Sequence, residues 1–284
     1  MAKKETMTIE FIGKNADEVT GSMTLIKSNG LNILLEAGIY QSNDTLEDYK
    51  INSRNLNINL KKIDFIIIGH VHADHTMLIP RLVANGCNAK IIVPKGSKGF
   101  LELLGKDSAF IVERDCQMLE RKYKRTFHRI YTPSDVDKML SYIEEYPMGE
   151  KIELNDRLTI RYIPAGHILN SAQIELWVKN EKKNKTVKIL YTSDLGNIKL
   201  PKYYAQSFES VDKANIVIGE STYSDKDRYV KAETRKKDLE KMYEVIKYHE
   251  GIVEIPIFAM DRCPNIVTIL YDLFGYDKDF KQDI

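Results

Sequence analysis

The sequence predicts an α/β protein with two strand-rich stretches, helices between them, and a strand–helix alternation at the end. Three observations predict it. Apolar residues alternate with polar ones at 9–11, 23–25 and 31–35, as in half-buried strands. Short continuous apolar runs at 63–69 and 214–219 suit strands buried on both faces. Between and after them, apolar residues recur at the spacing of one helix face.

In order, Ile9 and Phe11, then Met23 and Leu25, then Leu31, Ile33 and Leu35 mark three strands. Asn29-Gly30 sits between the second and third, a hairpin turn because both residues tolerate positive φ. The run 63–69 leads straight into His70. Helices are predicted at 76–85, 97–104 and 107–125, and from a cap at Ser134-Asp135 through about residue 145. Strands follow at 151–163, 173–179 and 186–193, with the polar run 179–185 as an exposed hairpin tip. Residues 214–219 form a buried strand ending at Glu220. Leu239, Met242, Tyr243 and Ile246 mark an amphipathic helix, 251–258 a strand, and Pro264 opens a helix to 274. No internal repeat, low-complexity tract or long linker interrupts the chain.

The 284 residues suffice for one sizeable core, or one large domain and part of a second. A formal net charge of +1 excludes a polycation, so nucleic-acid binding would need a local groove. Three scattered cysteines, none in a C-x-x-C pair, argue against a disulfide framework and fit a reducing compartment. No signal peptide and no stretch of about 18 apolar residues is present, which predicts a cytoplasmic protein without a membrane span.

The chemistry concentrates in His70-Val-His72-Ala-Asp74-His75. Residues two apart at a strand end point the same way, so His70 and His72 can grip one ion. Asp74 and His75, next on the turn, face a second position. Imidazole and carboxylate are ligands for zinc, with manganese the alternative where carboxylates dominate. Two ions about 3.5–4 Å apart can share a hydroxide and aim it at a carbonyl or phosphorus. Three His and one Asp cannot complete two coordination spheres. Two loops offer the rest: His167, after a glycine at a strand end, and Asp194, leaving a buried strand. Each alone is an ordinary structural feature; with residues 70–75 they supply a third His and a bridging carboxylate. His128, in the basic stretch 121–129, and His249, at a helix end, are read as non-ligands.

Around these ligands the chain resembles the β-CASP branch of the metallo-β-lactamase superfamily, which includes RNase J and the cleavage and polyadenylation endonuclease subunit. His72-Ala-Asp74-His75-Thr-Met-Leu-Ile-Pro80-Arg-Leu resembles "HLDHSGRLPRL", and Ala165-Gly-His167-Ile-Leu-Asn-Ser171-Ala resembles "AGHVLGSA". Ser193-Asp194-Leu-Gly-Asn197 resembles "GDLGN", Glu220-Ser-Thr-Tyr-Ser-Asp225 resembles "ESTYGDR", and Ile255-Pro-Ile-Phe-Ala-Met-Asp-Arg262 resembles "IPAFALGRA". The order is the family's across nearly the whole chain. The resemblance implies an αββα sandwich over 1–221 and, over 222–284, the start of an inserted α/β β-CASP domain. It implies that His70, His72 and His167 hold one zinc, and that Asp74 and His75 hold another with Asp194 bridging. The bridging hydroxide would cut an RNA phosphodiester, with Asp74, Asp194 and Glu220 as catalytic residues and Glu220 orienting a catalytic His.

Three departures from the pattern matter. Glu36-Ala-Gly38 stands where the family has Asp-x-Gly, which shifts hydrogen bonds behind the metal ligands. Ser224 replaces a glycine. The sequence ends at Ile284, inside what resembles the inserted domain, and the family places two further histidines beyond that point. One is the general acid and the other completes the second metal. The second site is therefore expected to be weak in this chain, and RNA cleavage poor compared with a longer form.

The expected partner is single-stranded RNA, with a homodimer or a partner subunit left open. Arg114 to Arg129, with Tyr123 and Phe127 interleaved, offers phosphate tracking and base stacking, against the alternative of a solvated helix face. Two further functional readings stand beside the nuclease: a non-catalytic RNA-binding or assembly subunit, and a small-molecule metallo-hydrolase.

Overall fold

In the computed structural model, the described residues are 7–14, 18–180, 185–196, 207–222, 224, 232–249, 252–257, 260 and 262–275. They fall in two compact units, Met1–Glu220 and Ser221–Ile284.

The first unit holds two sheets. In chain order the first contains β1 (Thr8–Phe11), β2 (Thr24–Ser28), β3 (Leu31–Leu35), β4 (Phe65–Ile67), β5 (Lys90–Pro94) and β6 (Ile143–Tyr146), which are neighbours in that order. β1, β2 and β3 pair antiparallel and β3 to β6 parallel. The β2–β3 turn is as predicted: Asn29 and Gly30 both have positive φ, at 50° and 79°. The second sheet runs β11 (Ile216–Ile218), β10 (Lys185–Tyr191), β9 (Ala172–Asn180), β8 (Leu158–Pro164) and β7 (Ile152–Asn155). The two sheets bury their alternating residues against each other: Ile26, Ile33, Leu35, Ile67 and Ile92 from one, and Ile160, Ile174, Leu176, Val178 and Ile189 from the other. Leu34, Ile66 and Ile91, on the other face of the first sheet, are just as buried. Parallel pairing requires crossovers, and right-handed crossovers put their helices on one face. These helices are α1 (Thr45–Ser53), α2 (Ala73–Thr76), α3 (Ile79–Ala84), α4 (Lys98–Tyr123) and α5 (Pro133–Leu140). The expected α/β architecture of two facing sheets with helices is therefore the one found.

Several elements differ in extent. The helices predicted at 97–104 and 107–125 are one 26-residue helix, α4. Gly105 continues it because α5 lies against that spot: a Cβ there would sit 2.6 Å from Val136 Cγ1. Gly105→Val is expected to destabilise by ~2–3 kcal/mol through overpacking and to lower Tm by roughly 5–10 °C. At Gly99, where nothing lies within 4 Å of a Cβ, the same change should leave Tm within about 2 °C, because Val and Gly differ little in helix propensity. Equal Tm shifts at the two positions would refute the packing account.

The helix expected to run to about 145 is capped by Thr132, in a reciprocal box with Asp135, and stops at Leu140. Residues 143–146 instead extend the parallel ladder beside β5, itself an unpredicted strand. The stretch 151–163 is a hairpin, β7 and β8, turned where Asn155 Oδ1 accepts from the backbone N–H of Arg157 and Leu158. The strand expected to be buried at 214–219 is a half-exposed edge: Val217 is 61% exposed, because β10 pairs it on one side only. The hairpin tip at 181–184 and Asn197, Tyr223 and Asp225 lie outside the described residues.

The second unit contains α6 (Ala232–His249) and α7 (Arg262–Phe274), with Tyr243 stacked on Phe274 at 4.2 Å between centroids. The strand predicted at 251–258 is absent from its described part, 252–257. A strand needs a hydrogen-bonded neighbour, and the described residues of this unit offer only helices. No helix among the described residues is long and apolar enough to cross a membrane.

A candidate two-metal centre

Five strands deliver chain to one place. Glu36 follows β3, His70 and His72 follow β4, His167 follows β8, Asp194 follows β10 and Glu220 follows β11. β4 ends at Ile67, so a loop, not the strand, turns His70 toward His72. His72 stands at the N-terminal boundary of the single turn of α2, which carries Asp74 and His75. Two close approaches lock these loops. A Cβ on Gly38 would lie 1.6 Å from the Asp74 carbonyl oxygen, and one on Gly196 would lie 1.7 Å from that of Gly166. Backbone bonds from Ala37 N to His75 O and from Gly196 N to Ala165 O, both 2.9 Å, hold the same contacts.

The result is two donor sets sharing one carboxylate. His70 Nε2 and His167 Nε2 lie 3.1 and 3.2 Å from His72 Nδ1. Asp194 Oδ2 faces this set, 3.8 Å from His70 Nε2 and 3.6 Å from His167 Nε2. Its other oxygen, Oδ1, lies 3.3 Å from His75 Nε2, which also has Asp74 Oδ2 at 3.6 Å. All six residues read from the sequence as ligands thus meet. Glu220 stands one step back, where its Oε1 accepts from the N–H of Leu195 at 2.6 Å and so braces the Asp194 loop.

Electrostatics follow from burial and from these neighbours. Burial pushes the His70 pKa well below the ordinary value, and His75, His72 and His167 push the same way, so its imidazole is neutral and able to ligate. Burial also disfavours charge on His75, but the Glu36 and Asp194 carboxylates outweigh it and hold the pKa well up. Burial raises Asp74, helped by Asp194 and opposed by His75. In Asp194 the burial effect is overcome by His75, His167 and His72, which lower its pKa.

The residues fit a pair of divalent cations. His70, His72, His167 and Asp194 bring their donor atoms within 4.8 Å of one another, a nitrogen-rich set of the kind zinc prefers. His75 Nε2 is buried and faces carboxylate oxygens of Asp194 and Asp74 at 3.3 and 3.6 Å, a donor group that a cation would enter by displacing the proton on that nitrogen. Glu36, His70 and His75 also come within range of one another, but there the imidazoles face Glu36 through their Nδ1 atoms: His75 is hydrogen-bonded to it at 2.5 Å, whereas His70 lies 3.9 Å away.

Sequence reasoning missed the polar shell around Glu36. This fully buried carboxylate takes hydrogen bonds from Ser22 (2.8 Å), Tyr191 (2.6 Å) and Ser193 (2.6 Å) besides its contact with His75 Nδ1 at 2.5 Å. The signal for two of them was the polar ending of the strand that runs into Asp194. Ser22 had no local signal. The basic stretch also changes meaning. Phe127 is buried, edge-on to Tyr49, so it cannot stack on a base, and Arg129 is paired with Glu113 at the surface.

With the site's geometry defined, residues 16–151 match the Metallo-beta-lactamase superfamily model. The chain's relatives are ribonucleases of the β-CASP type, as the motifs suggested. The chain is 25% identical over 256 residues to Ribonuclease TTHA0252 of Thermus thermophilus, covering 90% of this chain and 53% of that protein. It is 30% identical over 268 residues to the Probable RNase MJ4 of Methanocaldococcus jannaschii, covering 94% and 57%. It is 24% identical over 284 residues to Endoribonuclease ysh-1 of Neurospora crassa, covering 98% and 30%. The chain thus spans little more than half the length of the first two.

Proposed function

We propose that this chain carries the metal-binding part of a β-CASP ribonuclease, a metal-dependent hydrolase of RNA phosphodiester bonds. One observation carries the reading: the two oxygens of Asp194 face two separate sets of imidazole and carboxylate donors. On this reading His70, His72 and His167 hold one cation, Asp74 and His75 the other, and Asp194 bridges; zinc is the expected ion. Bound there, the ions would lower the pKa of an attacking water and neutralise charge developing on the phosphate. The protein's own part is to orient. α2 fixes Asp74 and His75 on one turn, and Glu220 holds the Asp194 loop through Leu195 N. Residues 1–221 form the metallo-β-lactamase part and 222–284 the beginning of the inserted domain. Single-stranded RNA is the substrate class, and the cytoplasm the compartment. The ribonuclease names of the relatives support the substrate; the donor sets support the metal.

The test is a zinc titration and an RNA cleavage assay on the same chelator-treated protein. The four-donor set should fill at lower free zinc than the set built on Asp74, His75 and Asp194. Cleavage of an unstructured oligoribonucleotide should require the added ion and vanish with EDTA. RNA binding without zinc uptake or cleavage would replace this reading with a non-catalytic RNA-binding subunit. Turnover of a chromogenic ester or lactam without RNA cleavage would make it a small-molecule hydrolase.

A further inference from the structure

We propose that Glu36 and Ser193 form a positioning relay that fixes the tautomer of His70 and the ring orientation of His75 together, so that one buried carboxylate aims ligands of both metal sets. The inference deepens the two-metal reading above and rests on it.

The two residues leave strands of different sheets, β3 and β10, and both are non-glycine residues in the left-handed region, at φ 59° and 50°. Such a conformation costs on the order of 1–2 kcal/mol per residue and persists where the surroundings over-determine it. What holds both here is their mutual bond: Ser193 Oγ donates to Glu36 Oε1 at 2.6 Å. Glycine would adopt the Ser193 conformation without strain but has no hydroxyl. The strain at this position therefore comes with a hydroxyl, and the hydroxyl has a second partner, His70 Nδ1 at 3.0 Å. Glu36 cannot reach that nitrogen itself, since Oε1 is 3.9 Å from it, beyond hydrogen-bond range.

The proton count then decides the tautomer. A serine hydroxyl has one proton, and the carboxylate, which only accepts, takes it. Toward His70 the oxygen presents a lone pair, so His70 must bring Nδ1–H. Its Nε2 is left bare, on the side of His72 Nδ1 and Asp194 Oδ2. The same carboxylate accepts from His75 Nδ1 through Oε2, which leaves His75 Nε2 to face Asp194 Oδ1 at 3.3 Å. Tyr191 and Ser22 donate to Oε2 as well and keep the carboxylate from turning.

The experiment uses the full 284-residue chain, with histidine side-chain 15N–1H NMR on the metal-free protein and zinc affinity by chelator competition. The expected wild-type result is His70 in the Nδ1–H form. Ser193→Gly removes the hydroxyl and relieves the strain, so Tm should hold or rise. His70 should become a tautomer mixture, and zinc affinity of the four-donor set should fall roughly 10–100-fold. Ser193→Ala, which keeps the strain, should show the same affinity loss with a lower Tm. His70 in the Nε2–H form in the wild type, or unchanged zinc affinity in Ser193→Gly, overturns the relay. A wild type that shows the Nδ1–H form and takes up no zinc upholds the relay and refutes the metal reading instead.

Discussion

Asp194→Ala is expected to lower RNA hydrolysis on the order of 1,000-fold, equivalent to about 4 kcal/mol of transition-state stabilisation at 1.36 kcal/mol per tenfold. The size follows from its two faces. Oδ2 belongs to the set with His70 and His167, and Oδ1 to the set with His75, so one truncation removes a donor from both. The first set keeps three imidazoles and should still take up zinc, more weakly. The second keeps Asp74 and His75 and should lose its ion at micromolar free zinc. The side chain is 28% exposed, so the fold should survive and Tm should hold. Single-turnover cleavage rates and elemental analysis on the same samples check both parts. A rate within tenfold of the wild type would remove Asp194 from the reaction.

Glu36→Ala should act through the fold first. It leaves the N–H of His75 and the hydroxyls of Ser22, Tyr191 and Ser193 facing a buried void where an acceptor used to be. Removing one member of a buried charged network costs ~3–5 kcal/mol, which for a unit of this size lowers Tm by about 10 °C. In the metal-free chain His75 also loses one of the two carboxylates that hold its pKa up, so the pKa falls, with Asp194 left alone against burial. Glu36→Asp keeps the charge but shortens the reach and should recover most of the Tm. Thermal denaturation with and without zinc measures both variants. A Glu36→Ala protein as stable as the wild type would show that the network contributes nothing net.

The class of fold and the six candidate ligands that the structure brings together were legible in the sequence because both depend on local pattern. Period-two alternation and the Asn29-Gly30 turn encode β2 and β3 directly, as the structure bears out. The ligand chemistry is likewise carried by residue type: histidines and aspartates at strand ends have few other reasons to cluster. The missed elements depended on partners distant in sequence. Residues 143–146 continue a helical pattern on their own but gain a parallel ladder beside β5. Residues 252–257 look like a strand but have no neighbour among the described residues to pair with. Gly105, in the gap between two predicted helices, is a point of contact with Val136. Glu36 is the plainest case. By itself it was a departure from a motif, one methylene longer than the residue it resembles. Only the packing of two sheets puts that carboxylate under His75 and within reach of Ser193, a residue 157 positions away along the chain. Residue types determined which groups could bind metal; the joining of the strand ends decided which nitrogen each histidine presents, because a hydrogen bond's direction is set by the partner across the interface and not by the neighbours along the chain.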